Sequence, residues 1–298
     1  MNLLSGIFAF GLPVGRIEGL YRHACKGLSS DELQTVSLKT GDTFPDDRRY
    51  ALLKLEDKNG HEESIFNPDH PEWLHKGNFL CAFSAPELMA QYMAKYSDET
   101  KTLSLYPRKF ANNSDQPSSR KEVSVNPILD SIDLSTFDGR KALADFFSAQ
   151  SGIPLACVTA STEKHQFGNT SSGWKKKKDT RTIHIINAAT VREFSAAIGI
   201  PLNPTRFRPN IVVDGIPPWS EFSWVGTKSV QLGSVKLEVI SRTVRCEGVS
   251  IDPLEFPENI IDVPKLLAKH FPEHGPYLGV YAVVKTSGVM SLGDDVRV

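Results

Sequence analysis

The chain has 298 residues, of which 40% are hydrophobic, 34 are Lys or Arg and 35 are Asp or Glu, for a formal net charge of -1. At roughly 150 residues per domain, that length suggests about two domains with an ordinary core, and 21 Gly and 19 Pro exclude low-complexity and collagen-like classes. The charge balance argues against a dedicated nucleic-acid binder, which carries a strong basic excess, yet it leaves room for a local basic pocket.

Residues 1–10 are apolar but short, with no basic n-region and no small-x-small cleavage pattern, so no signal peptide is expected. No stretch approaches the roughly 20 apolar residues that span a bilayer, so the expectation is a soluble, cytoplasmic protein with neither membrane nor nucleic acid as partner. Residues 16–21, 35–38 and 50–56 read as strands, and Asp57-Lys-Asn-Gly60 is a hairpin signal. A helix is expected over 85–96, with Pro86 at its start and Leu88, Met89, Tyr92 and Met93 at helical spacing. Residues 107–127 are polar and turn-rich, and a domain boundary is placed there.

Beyond the boundary, residues 139–151 read as an amphipathic helix with Leu143, Phe146 and Phe147 on one face and Gly152 as its stop. The polar segment 168–181 contains Lys175-Lys-Lys-Lys178, read as a solvated loop. A strand over 181–186 and a helix over 189–198 follow, then strands at 210–214, 229–232, 235–240 and 278–284. Many short strands between Gly turns, with few helices, predict a mainly β, α+β chain built on barrels and not a parallel Rossmann sheet. Neither GxGxxG nor a Walker A sequence occurs.

The four cysteines, Cys25, Cys81, Cys157 and Cys246, lie far apart with no CxxC spacing, which argues against a zinc ribbon, an iron–sulfur cluster and a disulfide framework. The densest chemical cluster is Arg206-Phe-Arg-Pro-Asn210. In an extended phase Arg206, Arg208 and Asn210 share a face, and two guanidinium forks plus an amide suit a phosphate or other polyoxygen anion. The alternative is a pair of surface arginines around a core Phe207. Arg245-Cys246 ends a strand over 235–244; a thiolate is a soft metal ligand or a nucleophile, although a small buried hydrophobe explains it as well. His23-Ala-Cys-Lys-Gly27 and Asp47-Arg48-Arg49 put further basic side chains at strand ends, facing an anion or exposed.

Together, Arg206-Phe-Arg-Pro-Asn-Ile-Val-Val-Asp-Gly215, Trp219-Ser-Glu-Phe-Ser-Trp-Val-Gly226, Arg245-Cys246 with Asp252-Pro253, Leu278-Gly-Val-Tyr281 and Gly288-Val-Met-Ser-Leu-Gly-Asp294 resemble a MOSC domain. The upstream His23-Ala-Cys-Lys-Gly27 and Asp47-Arg48 resemble the β-barrel domain that precedes MOSC in the amidoxime-reducing proteins and their bacterial relatives. The resemblance implies an N-terminal β-barrel domain over 1–110 and a MOSC barrel over 115–298. It implies a molybdenum–molybdopterin cofactor, with Cys246 as metal ligand and catalytic centre. Lys26 and Arg48 match groups at the phosphate end, Arg208 and Asn210 match residues that hold the pterin, and Arg245 matches the arginine beside the ligand. Thr190 stands where the family often has a serine near the cofactor. Val244 replaces a serine of the eukaryotic members, and Cys25 is a second thiol near this site.

The implied activity is reduction of a small N-oxygenated substrate with electrons from an external donor protein, since no intrinsic iron–sulfur or flavin signature is present. The rival is a non-redox carrier of sulfur or of the cofactor, with a persulfide on Cys246. Sulfurase-type MOSC domains follow a pyridoxal-phosphate domain, for which these two domains leave no room, so pyridoxal phosphate is not expected.

Overall fold

A computed structural model describes residues 14–55, 74–108, 124–160, 167, 181–226, 229–252, 254 and 259–298. The expected hairpin at 57–60 and the lysine run at 175–178 lie outside them. In chain order the first elements are β1 (Gly15–Arg22), β2 (Asp31–Glu32), β3 (Thr35–Leu38), β4 (Tyr50–Lys54), β5 (Phe79–Leu80), α1 (Pro86–Ala90), β6 (Tyr92–Ser97) and β7 (Thr102–Pro107). β8 (Leu129–Asp133), α2 (Phe137–Ser151) and β9 (Leu155–Thr159) follow. The last group is β10 (Ile183–Asn187), α3 (Ala188–Ile198), β11 (Ile211–Asp214), β12 (Val230–Leu232), β13 (Val235–Val244), α4 (Val263–His270), β14 (Tyr277–Thr286), β15 (Gly288–Ser291) and β16 (Asp295–Arg297).

Seven strands close a barrel in the order β11, β10, β14, β13, β12, β16 and β1, with β1 pairing back onto β11. β10 and β11 are parallel and joined through α3; the remaining barrel pairs are antiparallel. Closure bends the strands, and the long β13–β14 pair absorbs this through three register shifts, the last between Arg242 and Val244 just before the cysteine. Strand alternation fills the interior: β13 is buried at every second residue, and Leu237 and Val239 meet Ile17, Ile185, Val213 and Ala282 in one cluster. α3 and α4 cover the outside, where Val191, Phe194, Val263 and Leu267 pack with Ile186 and Phe207.

Two three-stranded sheets, β5-β4-β9 and β6-β7-β8, lie beside the barrel. α2 seals them with Leu143 and Phe147, which pack on Tyr92, Leu103 and Leu155. Its bounds follow from its ends: the Thr136 side chain accepts from the Gly139 amide, and Gly152 adopts φ 69° as a left-handed stop. α3 is built the same way, between the Asn187 cap and Gly199 at φ 70°.

One expectation is corrected. The helix over 85–96 divides, because α1 stops at Ala90 and residues 92–97 form β6. Tyr92, Ala94 and Tyr96 are buried on alternate positions and pair with β7, and that pleated burial outweighs the helical spacing of Leu88, Met89 and Met93. The division at 110–115 is crossed by several pairings. β7 pairs with β8, β4 with β9 and β3 with β15, while β1 completes the barrel of the later strands.

Candidate functional site

Four segments converge at one end of the barrel: the strap 24–28 after β1, the turn 81–84 after β5, the loop 204–210 before β11, and the residues after β13. Between them is a cavity of about 110 Å³. Cys246, a free thiol at partial exposure, lines it together with Lys26, Arg48, Lys76, Arg208 and Arg245. Among the described residues that line it, none is acidic.

The strap is held by Lys26 N donating to the Tyr50 carbonyl at 2.8 Å. Gly27 has φ 96°, and a Cβ there would stand 2.7 Å from Cys81 Cα, so only glycine lets strap and turn approach this closely. On the far side, Cys246 caps the 3-10 turn Glu247–Val249. A Cβ on Gly248 would lie 3.6 Å from Cys246 Sγ and 3.6 Å from Phe83 Cβ, which places the sulfur beside this turn and Phe83.

Arg208 sits at φ 54° after the 3-10 turn Pro204–Phe207, a left-handed conformation that a non-glycine residue adopts at a cost. Its guanidinium donates to Leu28 O at 2.8 Å and Gly27 O at 3.4 Å, tying barrel to strap. Its own carbonyl accepts from Arg48 Nη2 at 3.3 Å. Arg48, also left-handed at φ 52°, is ion-paired with Asp47, which accepts from the His23 amide.

Arg245 donates to the Phe207 carbonyl at 2.9 Å and to His184 Nε2 at 3.2 Å. Since Nε2 accepts, the neutral ring carries its proton on Nδ1, which donates to the Arg208 carbonyl at 3.3 Å. Burial first, and the Arg245 charge second, hold the His184 pKa well below the ordinary imidazole value, which keeps this tautomer neutral. His184 thereby sets the positions of two arginines.

The cations strain against burial and against one another. Burial, then Arg48 and Arg208, lowers the Lys26 pKa to about 8, although Cys81 opposes the shift. Burial and Arg48 lower that of Arg208 to about 10. Burial pulls Arg245 down as well. Arg245 Nε and Thr243 Oγ1, both from lining residues, are buried without a hydrogen-bond partner. Crowded cations and unmatched donors make a site that an anion relieves.

Not every expected site residue lies here. Arg206 does not share a face with Arg208, because residues 204–207 form a 3-10 turn, started by Asn203 and Pro204, and β11 begins only at Ile211. Arg206 is instead 1% exposed and donates to the carbonyls of Val249, Ser250 and Asn259, holding the segment after Cys246. Asn210 is fully buried: Oδ1 accepts from the His184 amide and Nδ2 donates to Tyr21 O, which orients the site from behind. Thr190 is also fully buried outside the cavity, where Oγ1 donates to Glu221 and accepts from the Trp219 amide. Cys25, part of the strap, is buried and does not line the cavity; the second thiol that does is Cys81.

His184, Lys76 and Cys81 were not picked out from the sequence. A histidine inside the otherwise apolar run Ile183-His-Ile-Ile186 was the available signal for the first. Among the described residues no group of three or more His, Cys, Asp and Glu could hold a metal ion.

Comparison with known proteins bears on this arrangement. Residues 162–297 match the MOSC domain family, so the chain carries a MOSC domain over that range. Mitochondrial amidoxime-reducing component 1 of Homo sapiens is 25% identical over 127 residues, which is 40% of this chain and 37% of that protein. Molybdenum cofactor sulfurase of Caenorhabditis elegans is 36% identical over 72 residues, 24% of this chain and 10% of the relative. The matches thus span well under half of these relatives' length. The YuaD protein from Bacillus subtilis aligns over 95% of this chain and 94% of its own, at 12% identity and a TM-score of 0.42.

Proposed function

We propose, with the MOSC domain at residues 162–297 as premise, that the protein binds a molybdenum–pterin cofactor in the thiol cavity and reduces N-hydroxylated substrates with it. One observation carries this reading: Cys246 shares a single cavity with Lys26, Arg48, Lys76, Arg208 and Arg245.

The residues fit such a group. A soft thiolate suits molybdenum, cationic forks suit a phosphate and metal-bound oxygens, and the unmatched Arg245 Nε and Thr243 Oγ1 supply donors. At about 110 Å³ the cavity takes one end of a pterin-sized molecule. The bound cofactor would supply a metal that exchanges two electrons.

The chain's own side chains bind and orient. Cys246 ligates through sulfur. Lys26, Arg48 and Arg208 neutralise the phosphate, and Arg245 is aimed by His184, which accepts without adding charge. The reaction consumes two electrons and two protons and turns R–NHOH into R–NH2 and water, the electrons coming from a separate donor protein. No helix among the described residues is long and apolar enough to cross a membrane.

The test is the molybdenum-to-protein ratio in wild type and Cys246→Ala from a cofactor-making host, followed by benzamidoxime reduction with a chemically reduced viologen donor. Near-stoichiometric metal lost in the variant, with turnover in the wild type, is expected. Metal retained by Cys246→Ala would reject the ligand role. The second reading is a sulfur carrier with a persulfide on Cys246; the neighbouring thiol Cys81 favours it, as a group able to receive the sulfur. Absence of metal together with a persulfide on Cys246 would select it.

A further inference from the structure

A second and larger chamber, about 620 Å³, adjoins the thiol cavity and shares Ala82, Arg208 and Gly248 with it as a common wall. Nothing in the proposed function uses it. Its size lies in the range of small-molecule sites, which combine apolar walls with a few convergent polar groups. Leu33, Met93, Ile251 and Leu254 supply apolar wall.

Its polar groups are unevenly satisfied. Arg22 Nε is buried without a hydrogen bond, but its charge is matched by Asp31 at 3.6 Å and Asp98 at 3.1 Å, and Nη2 donates to the Tyr96 carbonyl. Asp252 lies 3.8 Å from Arg206 and accepts from the Leu254 amide at 2.9 Å. Arg108 differs. It is 8% exposed, and its Nε is buried with no hydrogen-bond partner. Burial disfavours its charge, and the nearby Asp252 only partly compensates. His23, also in the wall, contacts the Pro209 carbonyl through Nε2 at 3.0 Å, while its Nδ1 is buried with no partner. A guanidinium buried with an unmatched donor is costly in an empty site and is a strong holder of an anion in a filled one.

We infer that this chamber binds a small organic acid, its carboxylate gripped by Arg108 and its apolar body laid along Leu33, Met93 and Ile251. His23 Nδ1 offers an acceptor for a hydroxyl or amide on the same molecule. This site stands apart from the molybdenum reading and does not depend on it.

The experiment is calorimetric titration of the full-length protein with naphthoate and with uncharged naphthamide, on wild type, Arg108→Gln and Met93→Trp. Wild type should bind one naphthoate at least roughly tenfold more tightly than naphthamide, in line with a hydrogen bond to a charged group. Arg108→Gln should lose about that factor for naphthoate only. It should also keep its melting temperature, because the replaced charge lacks a partner at Nε. Met93→Trp should close the chamber to both probes.

Equal affinity for the two probes, naphthoate binding unchanged in Arg108→Gln, or no saturable binding to wild type would overturn the inference. Molybdenum lost from Arg108→Gln would also overturn it, by assigning the chamber to the cofactor. Should no preparation hold molybdenum while the naphthoate pattern appears, the proposed function fails and this site stands.

Discussion

His184 Nε2 lies 3.2 Å from Arg245 Nη1, and the opposite ring nitrogen lies 3.3 Å from the Arg208 carbonyl, so one neutral imidazole spans the two arginines of the thiol cavity. His184→Leu keeps the apolar bulk but removes both hydrogen bonds. It should destabilise the fold by about 1–3 kcal/mol in denaturant titrations and reduce molybdenum content. The ring should stay neutral in its Nδ1–H tautomer where an ordinary imidazole gains its second proton, which nitrogen NMR shifts of the imidazole report directly. A protonated ring at pH 6 would reject the assignment.

Arg206 holds the stretch behind Cys246 through three backbone carbonyls and lies 3.8 Å from Asp252. Arg206→Met should cost about 3–5 kcal/mol, since it strands buried acceptors and a buried carboxylate. Alkylation of Cys246 by iodoacetamide should accelerate as the segment loosens. A variant as stable as wild type would show that this anchor is dispensable.

Burial raises the Glu221 pKa to about 7, against the hydrogen bonds from Asn187 and Thr190 that favour the carboxylate. A carboxyl whose folded pKa lies above its unfolded value contributes stability at low pH and loses it as pH rises through the folded pKa. Folding free energy should therefore fall by a few kcal/mol between about pH 4.5 and pH 7 from this group alone. Glu221→Gln should flatten that window. An identical pH profile for variant and wild type would count against it.

Gly27→Ala tests the contact between strap and turn. Both the φ of 96° and the 2.7 Å approach to Cys81 Cα penalise a Cβ. The expected loss is about 1–3 kcal/mol of stability, with weaker molybdenum retention because Lys26 shifts with the strap. Gly152→Ala is the control, since a Cβ there meets nothing within 4 Å and only the φ of 69° opposes it.

Helices with chemical end signals were legible: Gly152 and Gly199 stop α2 and α3 where the sequence places them. The strands of the later half were legible as short β runs separated by Gly turns. What escaped was set by tertiary partners. Tyr92 and Tyr96 fit a helix or a strand until β7 is beside them. Arg206 and Arg208 are two residues apart, but the 3-10 turn sends one beneath the Cys246 segment and the other to the strap. Cys81 looked inert because nothing local shows that Gly27 brings its turn to the cavity. In the site, Lys26, Arg48, Arg208, Arg245 and Cys246 converge, whereas Asn210 holds it from the core through His184 and Thr190 lies outside it, bonded to Glu221.

β1 is clasped between β11 and β16, with Arg16 opposite Asp214 on one side and Asp295 on the other. On the ribosome, β1 emerges first among the described strands and β16 last. The ring therefore stays open while everything between them is made, and β1 waits with both edges bare. Lys26 and Arg48 follow β1 in the chain, while Arg208, Arg245 and Cys246 come late. The cationic cavity is thus assembled only when the late strands close on β1, after nearly all of the described residues have been made.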